Sequence, residues 1–166
     1  MNILQLKFEN DGRIPNNQLK ALIYKSVFEG NEAQRPEQYE QLFRKNGWSN
    51  AWRNGIFNYH HYHSTAHEVL GIYAGWADVL LGGDRGEVLR VEADDILLLP
   101  AGTGHKNLQQ ADRLGVVGAY SQGRAPDMNY GRPDERPQAD QNIAAVPLPD
   151  ADPVLGFEGG TVEFWL

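Results

Sequence analysis

The histidines of this chain are concentrated in two places, and their grouping indicates a metal site. Four of the five lie in one short window, as His60, His61, His63 and His67, and His105 stands alone. Neutral imidazole is the commonest protein ligand for first-row divalent metals. In a β-strand alternate residues share a face, so His61 and His63 would point to one side and could bind the same ion.

Two further residues can complete such a site. Glu68 follows a short segment that could turn into the next strand, so its carboxylate could approach the ion from a neighbouring strand. His105 follows Pro100-Ala101-Gly102-Thr103-Gly104, in which one proline and two glycines favour a sharp bend. We therefore predict that His61, His63, Glu68 and His105 bind one divalent metal, with coordination positions left for water or substrate.

His60 and His67 are less easily placed. In the predicted strand His60 faces away from His61, and His67 could be a turn residue or a partner that supports a ligand. Direct binding of the metal by either residue stays an alternative. The competing interpretation of the whole cluster is a polar rim with some buried, hydrogen-bonded imidazoles. The sequence has no cysteine, so thiolate metal sites, disulfides and thiol catalysis are excluded.

Length, charge and the N-terminal sequence limit the remaining possibilities. A chain of 166 residues suits a single domain, residues 1–166, and its formal net charge is -7. An acidic surface repels phosphate backbones, so nucleic acid is not an expected partner. Residues 1–7 lack a signal-peptide pattern, and no apolar run approaches the length of a membrane span. We therefore expect a cytoplasmic protein without a membrane partner.

The spacing of apolar segments and turn residues predicts an all-β fold with one short helix. The chain has 18 glycines and 9 prolines, which favour many turns. An N-terminal arm, residues 1–49, should contain strands within 2–8 and 20–28 and a helix over about 36–46. A C-terminal arm, residues 122–166, should have little regular structure as far as residue 153 and a last strand within 156–166.

Between the two arms, residues 50–121 should form the core of a β-sandwich or barrel. Short apolar runs alternate there with glycine and aspartate turns, at spacings typical of such folds. The predicted strands are 68–73, 76–81, 87–91, 96–99 and 114–120.

The candidate ligands also resemble the two signature motifs of the cupins. Gly55, His61, His63, Glu68 and Gly75 match every defined position of the first motif. Because the full first motif is followed by most of the second, the resemblance is specific.

The second motif is matched at Pro100, Gly102 and His105, with two departures. Asp94 stands where the motif has its leading glycine, and Gln109 stands where it has its final asparagine. Neither departure falls on a ligand position, so the ligand set is intact.

A narrower resemblance extends over most of the chain. Segments 52–71, 100–106, 115–120 and 136–149 are similar to the bacterial cupins labelled YjlB-like. The resemblance implies a cupin jelly-roll barrel (a double-stranded β-helix) with the metal ligands already named. It implies no particular reaction, because cupins include dioxygenases, isomerases, decarboxylases, epimerases and proteins that only bind or store.

The open coordination positions favour a metal-dependent enzyme of oxygenase or isomerase type that acts on a small organic substrate. Glu68 would be its catalytic residue, acting as ligand or as base. One alternative is a non-catalytic small-molecule binding or sensor protein. Another is a protein whose metal only holds the barrel closed. A ligand set without sulfur does not distinguish iron, manganese, nickel and zinc.

Other side chains are candidates for the pocket wall, for hydrogen bonds at its edge or for pairing with a substrate carboxylate. These are Leu70, Ile72, Leu80, Leu98, Tyr59, Tyr73, Arg53, Asn54 and Lys106. Residues 132–136 are expected to be a packing segment or an oligomer contact, with a lid over the barrel as the alternative. Exposed strand edges favour self-association, most simply as a homodimer, with residues 164–166 as a candidate contact.

Overall fold

The computed structural model describes residues 1–30 and 32–165, which form mainly antiparallel β-strands in two sheets. In chain order the strands are β1 (Asn2–Leu6), β2 (Ala21–Lys25), β3 (Trp48–Asn54), β4 (Glu68–Ala74), β5 (Trp76–Leu81), β6 (Glu87–Glu92), β7 (Ile96–Leu99), β8 (His105–Gln110) and β9 (Gly115–Ser121). The larger sheet has the order β1-β2-β7-β4-β9-β3, and the smaller has the order β6-β5-β8. The predicted β-rich architecture of jelly-roll type is confirmed, although β3 and β8 were not predicted.

One cluster of the apolar core contains buried side chains from both sheets. The larger sheet contributes Ile23, Leu70, Ile72, Leu97 and Val116, and the smaller contributes Ala77, Val79, Leu81 and Val91. Removal of these side chains from water, at about 25 cal/mol per Å² of apolar surface, is the main force that holds the two sheets together.

The other face of the larger sheet is covered by a helix and by the C-terminal segment. Helix α1 (Arg35–Lys45) buries Tyr39 and Phe43 against this face, beside Trp48 and Trp165. The helix lies within one residue of its predicted bounds, with a proline in its first turn. Within the part of the chain that the structure describes, no helix is both long enough and apolar enough to cross a membrane.

Two predictions for the C-terminal arm are wrong. Residues 122–153 contain a short 3-10 helix (Pro133–Glu135) and helix α2 (Gln138–Ala145). Ala139 is the only buried residue of α2. The helix therefore has no apolar stripe, which is the pattern by which a helix is predicted from sequence. Helix α3 (Thr161–Phe164) replaces the predicted last strand, and the Asp152 carboxylate accepts a hydrogen bond from its first N–H (2.9 Å).

Burial also overturns part of the proposed oligomer contact at residues 164–166. Trp165 is 2% exposed, and its indole N–H donates to the carbonyl of Lys20 (2.8 Å). A large ring with its one donor satisfied is most stable inside the core, so Trp165 is not available to a partner. Leu166 lies outside the described residues.

Candidate metal centre

His61 and His105 lie on two backbone segments that are joined by an antiparallel bridge. The N–H of His61 donates to the carbonyl of His105 (3.2 Å), and the N–H of His105 donates to the carbonyl of His61 (3.0 Å). His61 and His63 belong to the connection between β3 and β4 rather than to the regular strand that their spacing predicted. Their rings nevertheless lie close together, with centroids 5.6 Å apart.

A tight turn before β8 positions His105. The N–H of Thr103 donates to the carbonyl of Pro100 (3.1 Å), and Gly102 has a φ of 90°, as the third residue of a type II turn requires. A Cβ at Gly102 would lie 2.5 Å from the carbonyl oxygen of Asn16, so only glycine fits. The N–H of Gly102 donates to the carbonyl of His63 (2.7 Å), which ties the turn to the other histidines.

Glu68 reaches the same point from the larger sheet. It is the first residue of β4 and pairs with Leu99 of β7 and Tyr120 of β9. Its Oε2 lies 3.1 Å from Nε2 of His63 and 3.5 Å from Nε2 of His105. The structure therefore brings all four predicted residues together, with Glu68 on one sheet and His105 on the other.

Backbone carbonyls orient the three imidazole rings. Nδ1 of His61 lies 3.1 Å from the carbonyl of Tyr59, and Nδ1 of His105 lies 3.0 Å from that of Thr103. Nδ1 of His63 lies 2.6 Å from the carbonyl of Asp127. A carbonyl only accepts, so each Nδ1 must carry the proton, and each neutral ring keeps a lone pair at Nε2.

This tautomer leaves a group of acceptors facing one another. Oε2 of Glu68 is buried without a hydrogen bond of acceptable geometry, although Nε2 of His63 is only 3.1 Å away. Such a group needs a cation, either a proton on one imidazole or a metal ion. One ligand atom from each of His61, His63 and His105 can be chosen so that all lie within 4.8 Å of one another. The three histidines could therefore hold a metal ion, and the donor set suits a first-row divalent metal.

Burial and neighbouring charges set the ionisation of this group. Burial, together with the charge of His105, lowers the pKa of His61 to about 3, so this imidazole is neutral at pH 7. Burial also disfavours charge on His63, but the Glu68 carboxylate outweighs it and raises the pKa of His63 to about 9. Although burial favours a protonated Glu68, the charge of His63 holds the pKa of that carboxyl well below its usual range. The site therefore holds an ionised carboxylate that attracts a cation.

Asp127, on the C-terminal arm, was missed by the sequence analysis and supports the site. Its carbonyl holds His63, and its carboxylate accepts hydrogen bonds from the backbone N–H and the hydroxyl of Ser64 and from the amide of Asn129. Thr65 adds a further contact, because its hydroxyl accepts from the N–H of Asp127 (3.0 Å). These contacts of Asp127 therefore hold the segment His63–Thr65 in place.

Replacement of Asp127 by alanine should weaken metal binding by about tenfold, because partners that orient a ligand typically contribute 10- to 100-fold in affinity. The carbonyl of residue 127 remains, but it loses the side-chain contacts that place it against His63. Competition with a coloured chelator would measure the change. Asp134→Ala is the matched control, since Asp134 is an exposed acid of the same arm. Equal affinity in the two variants would contradict the supporting role of Asp127.

His60 and His67 lie outside the group. Nδ1 of His60 is 3.5 Å from a carboxylate oxygen of Asp84, and its ring lines a separate cavity. His67 is buried behind the His105 turn, where its Nδ1 accepts a hydrogen bond from the N–H of Ala101 (2.9 Å). Burial lowers the pKa of His67 to about 4, so the ring is neutral. His67 thus supports a ligand-bearing turn, one of the alternatives foreseen for it, and neither residue reaches the metal position.

The four residues lie at one part of a cavity of about 570 Å³. Of the candidate wall residues, Leu70 and Asn54 line it; Ile72, Leu80, Leu98, Tyr59 and Tyr73 do not. Leu98 belongs to the core on the far side of the larger sheet, and Tyr59 stacks on Phe57 beside the cavity. Several wall residues carry no motif and were not predicted: Trp52, Phe57, Gln110, Leu114, Tyr120 and Met128.

The two basic candidates turn away from the cavity. The guanidinium of Arg53 pairs with Glu40 (2.6 Å) on α1, and Lys106 lines the separate cavity beside His60. Alternate residues of a strand face opposite sides, and both cations occupy the outward positions next to inward-facing residues, Asn54 and His105. Residues 132–136 do not line the cavity either. They pack on the body of the protein, where the Glu135 carboxylate accepts from the hydroxyl of Tyr62 (3.1 Å).

Comparisons with solved structures give several similar chains of low identity. Acireductone dioxygenase from Bacillus anthracis, with a cadmium ion in its active centre, is 19% identical, with a TM-score of 0.41 over 75% of this chain and 82% of that one. RmlC from Streptococcus suis, in complex with dTDP-D-xylose, is 13% identical, with a TM-score of 0.38 over 93% and 86%. Procruciferin, an 11S globulin from Brassica napus, is 16% identical, with a TM-score of 0.40 over 77% of this chain and 26% of that one.

Sequence comparison gives a much closer relative. No family model matches the chain. The uncharacterized protein YjlB of Bacillus subtilis, however, is 36% identical over 160 residues, which cover 96% of this chain and 94% of YjlB. Identity at this level along nearly the full length of both chains agrees with the cupin motifs and with the observed sheets, and the chain belongs to the YjlB-like cupins.

Proposed function

We propose that this protein is a metal-dependent enzyme of oxygenase or isomerase type that acts on a small organic substrate. His61, His63, Glu68 and His105 would bind one divalent metal. The observation that carries the proposal is the meeting of three imidazoles and one unpaired carboxylate oxygen, all buried, at the wall of a cavity large enough for a small molecule. A divalent metal bound there would act as a Lewis acid on a substrate oxygen.

Glu68 is the residue best placed to move a proton in this cavity. The other carboxylate of the wall, Asp127, is occupied by Ser64 and Asn129. Oε2 of Glu68 makes no hydrogen bond of acceptable geometry, although Nε2 of His63 lies 3.1 Å away, and in our proposal it accepts a proton from a substrate held beside it. We assign Glu68 as both a metal ligand and the catalytic base.

Tyr120 supports this assignment from the neighbouring strand. Burial, together with the charge of Glu68, raises the pKa of its hydroxyl, which therefore stays protonated at neutral pH. The hydroxyl accepts a hydrogen bond from the indole N–H of Trp52 (2.8 Å), and its own proton is directed at the Glu68 carboxylate, where the oxygen of a bound substrate would compete for it. In our proposal Tyr120 orients the substrate and does not act as a base.

A turnover assay tests the proposal. Metal-loaded protein should convert at least one member of a panel of diketones, diols and keto acids, with oxygen uptake if the reaction is an oxygenation. At saturating metal, Glu68→Gln should lower the rate by about 100-fold or more, the usual contribution of a general base. Glu87→Gln, an exposed acid on β6, should leave the rate unchanged. Loaded protein that converts no panel member and consumes no oxygen would contradict the enzyme proposal.

The alternative function is a non-catalytic small-molecule binding or sensor protein. It is favoured by the shortage of proton-transferring groups. Among the described wall residues other than the histidines, Asp127 is occupied by Ser64 and Asn129 and the Tyr120 hydroxyl stays protonated, which leaves Glu68 as the candidate base. Tight ligand binding without turnover would support it. A purely structural metal would instead be indicated by loss of the fold on chelation, because metal-binding free energy would then be folding free energy.

We further propose that the protein is a single-domain, cytoplasmic homodimer. The open edge of the larger sheet favours self-association, because β1 has unpaired backbone groups on one side and mostly exposed side chains. Such edges are commonly covered by a second copy in a symmetric dimer. Light scattering that shows only monomer at micromolar concentration would contradict this part of the proposal.

A further inference from the structure

We propose that the substrate has an apolar, preferably aromatic body, carries at most one negative charge, and binds the metal through a small chelating oxygen group. The inference rests on the proposed function and defines its substrate class. It follows from three features of the cavity: the charges of its wall, the chemistry of its apolar side chains, and the small number of free hydrogen-bonding groups.

The charge of the wall disfavours substrates with several negative charges. Among the described residues that line the cavity there is no lysine and no arginine, whereas Glu68 and Asp127 both contribute carboxylates. The Glu68 carboxylate would offset one of the two charges of a divalent metal, and the Asp127 carboxylate, which Ser64 and Asn129 hold by hydrogen bonds, adds negative charge to the wall. A phosphate or a dicarboxylate would therefore have no cationic partner beyond the metal itself.

The apolar part of the wall includes the aromatic side chains of Trp52, Phe57 and Tyr120. The one donor of the Trp52 indole, its N–H, binds the hydroxyl of Tyr120, so a ligand in the cavity can contact only the ring. It lies against β9 at Gly118, where a Cβ would come within 2.2 Å of the ring. Phe57 is 46% exposed and stacks on Tyr59, with ring centroids 4.9 Å apart and planes at 16°. An exposed pair of stacked rings beside a cavity offers a surface for an aromatic ligand.

The polar side chains away from the metal position are mostly satisfied within the protein. The amide oxygen of Gln110 accepts from Asn107 (2.7 Å), and its amide nitrogen donates to the carbonyl of Ala111 (3.2 Å). The amide oxygen of Asn54 accepts from the N–H of Gly55 (2.9 Å), which leaves its amide N–H groups for a ligand. A polyhydroxylated substrate would have to leave most of its hydroxyls unpaired, which costs free energy. An apolar body carries no such cost.

A matched series of hydroxamates tests the inference. Acetohydroxamate and benzohydroxamate share one chelating head and differ in a methyl or phenyl body, and a para carboxylate on the phenyl ring adds one charge. Titration of cobalt-loaded protein, followed by its visible absorption, measures each affinity. We expect benzohydroxamate to bind at least about tenfold more tightly than acetohydroxamate, as burial of the larger apolar surface implies. The para-carboxylate compound should lose that gain.

Variants separate the wall from the metal. Phe57→Ala should lower the affinity for benzohydroxamate several-fold and leave the affinity for acetohydroxamate unchanged. Phe157→Ala, at a phenylalanine that is 76% exposed and does not line the cavity, should change neither. Met128→Lys, which adds a cation to the wall, should restore binding of the para-carboxylate compound.

The outcomes distinguish this inference from the proposed function. Equal affinity for the methyl and phenyl compounds, or tightest binding of the para-carboxylate compound, would overturn the substrate class and leave the metal-dependent function standing. Failure of the protein to take up cobalt, or of every hydroxamate to perturb its spectrum, would overturn both.

Discussion

Replacement of His61 by alanine should remove the metal, whereas replacement of its neighbour His60 should leave the metal in place. The two residues are adjacent and chemically identical, but His61 lies in the buried group with His63 and His105, and the nearest charged partner of His60 is Asp84 in another cavity. Loss of a ligand should cost more than loss of a partner that only orients one, so we expect affinity to fall by at least about 100-fold.

Elemental analysis of protein purified without added metal measures this effect. Wild-type and His60→Ala protein should contain close to one equivalent of a divalent metal per chain, and His61→Ala and His105→Ala should contain almost none. Circular dichroism would show whether the variants keep their fold. Similar metal contents in the His60 and His61 variants would contradict the assignment. Absence of metal from the wild type, with no uptake on titration, would mean that the histidines serve packing or direct ligand binding.

Replacement of Asp94 by glycine should destabilise the protein by about 2 kcal/mol, although glycine is the residue that the cupin motif has at this position. Asp94 has a φ of 78°, so glycine would relieve backbone strain of about 1–2 kcal/mol. The opposing effect is larger. Nε of Arg35 lies 2.6 Å from Oδ1 of Asp94, and the Arg35 side chain is only 1% exposed. Removal of one partner from a buried pair costs about 3–5 kcal/mol, because the other charge stays buried.

The geometry of this pair refines the prediction. The contact between Nε and Oδ1 is short but too far from linear for a hydrogen bond. The hydrogen bond that joins the pair, from Nη2 of Arg35 to Oδ2 of Asp94, is long (3.5 Å), so the stabilisation is mainly electrostatic. Urea unfolding of Asp94→Gly should therefore give a lower midpoint with an unchanged m-value. In an Arg35→Met background the same change should be neutral or stabilising, since only the relief of strain remains. Destabilisation of equal size in both backgrounds would show that the ion pair is not the cause.

At Asp94 the backbone conformation follows from the local sequence, whereas the residue that occupies the position depends on a tertiary contact. A motif glycine marks a position that needs positive φ, and the position indeed has it in this chain. The aspartate in place of the glycine is explained by Arg35, a residue of α1 far away in sequence. Arg35 brings a buried positive charge to the turn, and the Asp94 carboxylate pairs with it. The motif therefore predicted the positive φ of residue 94. The contact with Arg35 that compensates the strain could not be predicted from it.

The β-rich architecture could be predicted from the sequence, because turn residues and short apolar runs are local signals of strands. The identity of the side chains that meet at the candidate metal centre could be predicted as well. His61 and His63 lie outside the regular strand that their alternation predicted, and the bridge from His61 to His105 holds that segment instead. The bend at Pro100–Gly102, however, is set over a few residues, and Glu68 is the first residue of β4. These features depend on φ, ψ and spacing, which neighbouring residues control.

The residues that surround the candidate metal position could not be predicted from local sequence. Asp127 comes from an arm with no motif, and its hold on His63 and Ser64 depends on how that arm crosses the barrel. Arg53 pairs with Glu40 of α1 and does not line the cavity, where it was a candidate partner for a substrate carboxylate. Burial of Trp165 turned a proposed contact surface into core. Each outcome depends on contacts between residues distant in sequence, and such contacts are set by packing and charge in three dimensions rather than by local pattern.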